Sequence, residues 1–316
     1  MARFVARRVG MLILALLVSS FVVFISLDLA PGDPLSTLTG GRSLPPSALA
    51  ALRREYHLND PLFTRYWHYL TGVILHFNLG TSIQYREPVT TLISQRVGVT
   101  AELVVYAGLL IVVFGVGFGL LAGLRRGVVD RTVIAVSTIL AAVPSFVAAI
   151  ILLAVFAVNL GWLPALGNGS GFGGTLEHLT LPAIALAASA VALVVRVTRV
   201  TVRAELGQEH VQTAVSRGIP WRLIVRRHAL RNAAIPITTV LGITITSLFA
   251  LSAVVEQAFN LNGIGAALVQ AALSKDFGVV QGISLLLVGA FVIANALVDL
   301  LYAVLDPRVA VGARAT

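Results

Sequence analysis

The stretch "EHVQTAVSRGIPWRLIVRRHALRNAAIP" spans residues 209–236. It is basic and polar, and it separates two of the most apolar segments of the chain. Gly218 and Pro220 divide it. Glycine is favoured just past a helix end and proline at a helix start. The stretch therefore predicts a helix–turn–helix. "EHVQTAVSR" closes one helix, "GIP" turns the chain, and "PWRLIVRRHALRN" opens the next.

The rest of the chain sets the context for this insert. Of its 316 residues, 57% are hydrophobic and 12% are charged, and the mean hydropathy is +0.91. Soluble domains carry about 25% charged residues. Half that share leaves too few ions to cover a water-facing surface, so the apolar excess faces lipid. Six apolar spans are read, at about 9–28, 100–124, 132–158, 179–202, 236–256 and 279–305. Each meets the ~20 residues that a helix needs to cross ~30 Å of hydrocarbon. Helices are expected because lipid offers backbone groups no hydrogen-bond partner. The fold class is an all-α membrane protein with six transmembrane helices.

The formal charge of +9 is unevenly placed. Arg3, Arg7 and Arg8 precede the first span, and Arg125, Arg126 and Arg131 join the second and third. Arg196, Arg199, Arg203, Arg217, Arg222, Arg226, Arg227 and Arg231 lie around the join of the fourth and fifth, and Arg308 and Arg314 follow the sixth. The other joins differ: 159–178 hold no Lys or Arg, and 257–278 hold only Lys275. Arginine on alternate joins places both termini in the cytoplasm. This distribution accounts for the charge without nucleic acid. The chain divides into a first helix at 1–30, a small extracytoplasmic region at 31–98, and a five-helix core at 99–316 with a cytoplasmic loop at 203–235. The first apolar run is too long for a signal-peptide h-region. Asp28 also occupies the −3 position of its plausible cut after Ala30, so an uncleaved helix is expected.

Punctuation refines the spans. "APGDP" (30–34) stops the first helix, Thr100 with Glu102 starts the second, Pro182 suits the first turn of the fourth, and "DPR" (306–308) ends the sixth. Pro144 predicts a kink within the third. Gly115, Gly119 and Gly123 fall four apart, which permits close helix packing; glycine is also simply frequent in membrane helices. Residues 45–77, "PPSALAALRREYHLNDPLFTRYWHYLTGVILHF", read as two short amphipathic helices.

Candidate chemistry is sparse. Cysteine is absent, which excludes disulfides, thiol catalysis and Cys-based metal sites. The histidines at 57, 68, 76, 178, 210 and 228 lack zinc-ligand spacing. No nucleophile–base–orienter set is seen, so an enzyme is not expected. Membrane-depth acids are functional suspects. Glu102 reads as a helix-start acid, Asp299 as structural, and Glu256 as a candidate for an outer gate or translocation path. Arg196, Arg199 and Arg203 share a helix face; snorkelling at the cytoplasmic end accounts for them better than voltage sensing. Lipid binding by the insert fits poorly, because its arginines occupy several sides. A protein-docking element tolerates charge all round.

The insert resembles the cytoplasmic "EAA" loop of ABC importer permeases, in the form used by the oligopeptide, dipeptide and nickel subfamily. That form reads approximately D-Y-V-R-T-A-R-A-K-G-L, then R-H-x-L-R-N-A, then P. The matching stretch here holds Glu209, His210, Val211, Gln212, Thr213, Ala214, Val215, Ser216, Arg217, Gly218 and Ile219. It continues with Arg227, His228, Leu230, Arg231, Asn232, Ala233 and Pro236. Glu replaces Asp, His replaces Tyr, Gln and Val replace Arg, and Ser replaces Ala. "LAPGDP" (29–34), "FNLGTS" (77–82), "REPV" (86–89), "VPSF" (143–146), "LGWLPALG" (160–167), "HLTLPAIAL" (178–186) and "DLLYAVLDPRV" (299–309) also resemble family blocks. The resemblance implies a type I ABC importer permease fold and the subfamily's B-type membrane subunit. It implies import of short peptides through a prokaryotic plasma membrane. The alternatives are a nickel or other small-solute importer and, from another class, a stand-alone channel or secondary transporter. Implied partners are a second homologous permease, two ATP-binding subunits, an external substrate-binding protein and membrane lipid. The chain lacks G-x-x-x-x-G-K-[ST], and its lone lysine is in "SKDFG". ATP and magnesium are therefore expected on partner subunits, with no cofactor or metal bound by this chain.

Overall fold

The computed structural model describes residues 2–28, 45, 47, 50 and 60–305, and within the terminal helices the side chains of 10–26 and those up to 298. The expected stop at "APGDP", most of the first short amphipathic helix, the Asp299 side chain and the "DPR" end lie outside the described residues.

The described residues form helices, with an isolated antiparallel bridge between Thr81 and Pro88. In chain order they are α1 (Ala2–Asp28), α2 (Leu62–His76), α3 (Val89–Leu124), α4 (Val128–Ala142), α5 (Ser145–Asn159), α6 (Gly171–Leu206), α7 (Glu209–Ser216), α8 (Trp221–Ala258), α9 (Ile264–Leu273) and α10 (Phe277–Leu305). Four of these, α3, α6, α8 and α10, are long and apolar enough to cross a membrane among the described residues. The pair α4 and α5 qualifies as one further span, bent by 100°. In α1 the described apolar stretch is Gly10–Ser26.

The chain folds as two units. The first comprises Ala101–Leu261 with the segment from Ile293 onward. Its axis is α6, which packs on α3, α4, α5 and α8. The most apolar window of α6 is 67% buried, against 39% for α8. The glycine stripe on α3 seats that helix directly on α6. A Cβ at Gly115 would stand 2.8 Å from Val194 Cγ1, and one at Gly119 would stand 2.5 Å from Thr198 Cβ. Glycine is thus required for the approach, which settles the question the spacing left open. A π-helical turn at Ile111–Val116 interrupts α3 at the top of this stripe.

The second unit comprises Ala2–Thr100 and Asn262–Val292. Its core joins Val89, Leu92 and Ile93 of α3 to Ile264, Ala267 and Ala271 of α9 and Val279 and Ile283 of α10. Asp276, just before α10, is fully buried. Its Oδ2 accepts the Ser82 hydroxyl at 2.5 Å and the Gln84 N–H at 3.1 Å. This carboxylate anchors the turn at 82–87, closed by Ser82 N–H to the Glu87 carbonyl at 2.9 Å.

Several helix starts differ from expectation. α3 begins at Val89, so Thr100 lies inside it; its buried hydroxyl instead accepts the Ile264 N–H at 2.9 Å, capping α9. Pro182 and Pro236 both fall inside longer helices. Hydropathy marks the lipid-crossing stretch, whereas backbone hydrogen bonding carries the helix past it. Pro144 ends one helix and begins another rather than kinking a continuous one.

Candidate functional site

The insert is built on a small core of its own. Val211 and Ala214, three apart on α7, face inward against Ile224 of α8, with Leu206 and Ile219 at the edge. Glu209, His210, Gln212, Thr213, Val215, Ser216 and Arg217 are left exposed. Amphipathic spacing thus fixes which side of this short helix is free.

The turn has a specific chemistry. Gly218 adopts φ +72°, the left-handed region. Its N–H bonds to the Val215 carbonyl at 2.9 Å, and the Ile219 N–H bonds to the Ala214 carbonyl at 3.2 Å. This pair of bonds is a Schellman closure, and the Ile219 contact with the insert core is its usual apolar companion. Pro220 then starts α8, its carbonyl receiving the Leu223 and Ile224 N–H groups at 2.8 and 3.1 Å. The expected helix–turn–helix is present. Its second helix does not end before the membrane segment but runs on through a π-helical turn at Val225–Ala229 to Ala258.

The structure brings most of the named residues together. Asn232 on α8 donates to Glu205 at 3.1 Å, tying the two helices that flank the insert. His210 and His228 rings lie 6.1 Å apart across it. Arg227 and Arg231 are exposed nearby on α8. Val211 and Ala214 are buried, so they support the exposed face rather than form it. Glu256 is separate: it is fully buried near the far end of α8, about 40 Å beyond Arg231 at 1.5 Å per residue.

Sequence reading missed Asp130 and Asp276. Arg199 binds Asp130 through Nε at 2.5 Å and Nη2 at 2.9 Å, and Arg203 Nη2 reaches the same carboxylate at 2.8 Å. Arg203 also donates to the Ala122 carbonyl at 2.9 Å, near the end of α3. These arginines are ion-paired ties between α6, α4 and α3. Asp276 carried a findable signal, an acid directly before an apolar run.

The likeness to known proteins is now decisive. A family profile described as the binding-protein-dependent transport system inner membrane component matches residues 115–311. The chain belongs to that family. The profile for the N-terminal part of such membrane components matches residues 1–104. The oligopeptide transport system permease protein OppB of Salmonella typhimurium is 36% identical over 311 residues, covering 98% of this chain and 99% of that protein. The glutathione transport system permease protein GsiC of Pectobacterium atrosepticum is 35% identical over 307 residues, covering 97% and 98%. An inward-facing structure of the MetNI methionine ABC transporter matches with a TM-score of 0.57 at 19% identity, over 68% of this chain and 96% of that one. The fold is that of a type I ABC importer permease. As a member of the inner membrane component family, the chain is a multi-pass, non-catalytic membrane subunit of an ABC importer, with ATPase on separate subunits and a partner permease implied.

Proposed function

We propose that this chain is the permease subunit of an ATP-driven importer of short peptides. The carrying observation is its likeness, across 98% of its length, to a permease named for oligopeptide transport. In this reading α1, α3, the bent pair α4–α5, α6, α8 and α10 make six crossings, with both termini cytoplasmic. The insert then lies in the cytoplasm, and the exposed face of α7, with Glu209, His210, Thr213 and Arg217, docks on an ATPase subunit. Gly218 fixes the angle at which α7 is presented, while Arg227, His228, Arg231 and Asn232 brace it from α8. ATP and magnesium act on the ATPase subunits, and an external binding protein delivers the peptide. Nucleotide-driven closure of the two ATPases displaces α7, and α6 and α8 transmit the shift toward an outer gate that includes Glu256.

The chain has no cysteine, so Gln212→Cys on the exposed face of α7 gives a single attachment point. In the assembled complex it should cross-link to an ATPase subunit, and vesicles carrying the complex should accumulate a radiolabelled tripeptide when ATP is enclosed with the ATPases. Accumulation of Ni²⁺ without tripeptide would overturn the peptide assignment. Absence of the cross-link would overturn the docking assignment.

A further inference from the structure

α2 holds no buried residue, yet it is not a polar helix. At 100° per residue, Leu62, Tyr66, Tyr69 and Val73 share one side. That side meets α1. The Tyr66 hydroxyl donates to the Leu17 carbonyl at 3.2 Å and lies 2.7 Å from Ser20 Oγ. The Phe24 ring stands 5.4 Å from Tyr66 and 6.0 Å from Tyr69. Leu17 and Ser20 belong to the apolar stretch Gly10–Ser26. α2 is therefore held against the body of a membrane helix, not beyond its end.

The adjoining stripe of α2 is open. Phe63, Trp67 and Ile74 are 75%, 63% and 60% exposed. On α1, Met11, Leu14, Val18 and Val22 form a stripe of their own, each about half exposed. Phe21 and Phe63 stack at 6.2 Å with their planes 14° apart. On each helix that ring flanks the contact side and borders the open stripe. The two stripes consequently form one continuous apolar surface, with Thr64 and His68 on the other side of α2. The Arg65 guanidinium sits 5.7 Å over the Phe24 ring.

We propose that α2 is seated in the bilayer, its Phe63–Trp67–Ile74 face solvated by phospholipid acyl chains continuous with those around α1. Three arguments select lipid as the occupant. The surface extends the exposed apolar stripe of α1, a helix that crosses the bilayer in the topology proposed above. Its tryptophan, Trp67, is of the residue type that favours the membrane–water boundary. Thr64, His68 and Thr71 lie on the remaining side, where Leu75 near the C-terminal end is the exposed apolar residue, as in a helix lying in an interface. The crossing of α1 and the outer leaflet both rest on the topology proposed above.

Trp67→Cys and Ile74→Cys, each spin-labelled in the full chain assembled with its partners, are reconstituted in vesicles of phosphatidylethanolamine and phosphatidylglycerol. His68→Cys serves as the polar-side reference. Collision rates with oxygen, which concentrates in lipid, and with a water-soluble nickel chelate are compared. The expected result is a several-fold higher oxygen-to-chelate ratio at 67 and 74 than at 68. A chelate-dominated signal at 67 and 74 would overturn the proposal in favour of water. Weak collision with both reagents would overturn it in favour of a covering protein. Ile74→Cys supplies the result if the change at Trp67 prevents assembly, and neither reading depends on what the complex transports.

Discussion

Gly218 has nothing within 4 Å of where a Cβ would stand. A side chain there meets no clash, so its cost is the left-handed backbone alone, about 1–2 kcal/mol. Gly218→Val should leave the chain inserted and abundant, yet abolish ATP-dependent uptake by turning α7 to another angle. Gly218→Asn should retain most uptake, because asparagine tolerates that conformation. Paired transport and membrane-abundance assays check both. Asp130 behaves differently, since its one carboxylate is shared by two guanidinium groups. Asp130→Ala leaves Arg199 and Arg203 without their carboxylate. The expected loss is about 1 kcal/mol, near the value for a solvent-accessible pair, because Asp130 and Arg199 are 13% and 24% exposed. A thermal-shift series in detergent measures it. The arginines were legible as a basic face, but their acid was not: it lies 69 positions away on another helix, beyond the reach of local spacing.

Among the elements, the sharpest test is the contact of α3 with α6. Gly119→Leu drives a side chain into Thr198 and the Val195 carbonyl, which a Cβ would meet at 2.5 and 2.9 Å. Overpacking costs about 1–3 kcal/mol or more. Gly117→Leu, two residues away, meets nothing within 4 Å and should be tolerated. Comparing the stability of the two purified variants isolates the packing effect from helix propensity. In the other unit, Ser82→Ala removes a donor to the buried Asp276 carboxylate. Faster hydrogen exchange is expected across 82–87, reflecting a local loss of about 1–3 kcal/mol. Glycine spacing disclosed the stripe, and Gly218 with Pro220 disclosed the helix–turn–helix, because both arise within a short stretch of sequence. Helix starts were read less well. Thr100 resembled a helix-start residue, but its hydroxyl caps α9, a partner 164 positions away. Pro182 resembled a first-turn proline, yet it lies inside α6, whose start is at Gly171.

For the whole molecule, the alternation of charge makes a topological prediction. Ser170→Cys, before α6, should react with a membrane-impermeant maleimide from outside intact cells. Ser216→Cys, at the end of α7, should react only after the membrane is opened. Reversal of the two would refute the assigned orientation. The helical membrane architecture was legible because membranes impose it: helix length and hydropathy follow from the solvent. The 100° break between α4 and α5 was not, since one proline at position 144 is compatible with either a kink or a complete turn of direction. The continuity of α8 has a mechanical corollary. Its 38 residues make a rod of about 57 Å, at 1.5 Å per residue. Tilting such a rod by about 5° at its Trp221 end would sweep the Ala258 end through about 5 Å, close to one helical pitch. A motor acting on that end therefore needs only a small angular stroke to produce a molecular-sized displacement at the other.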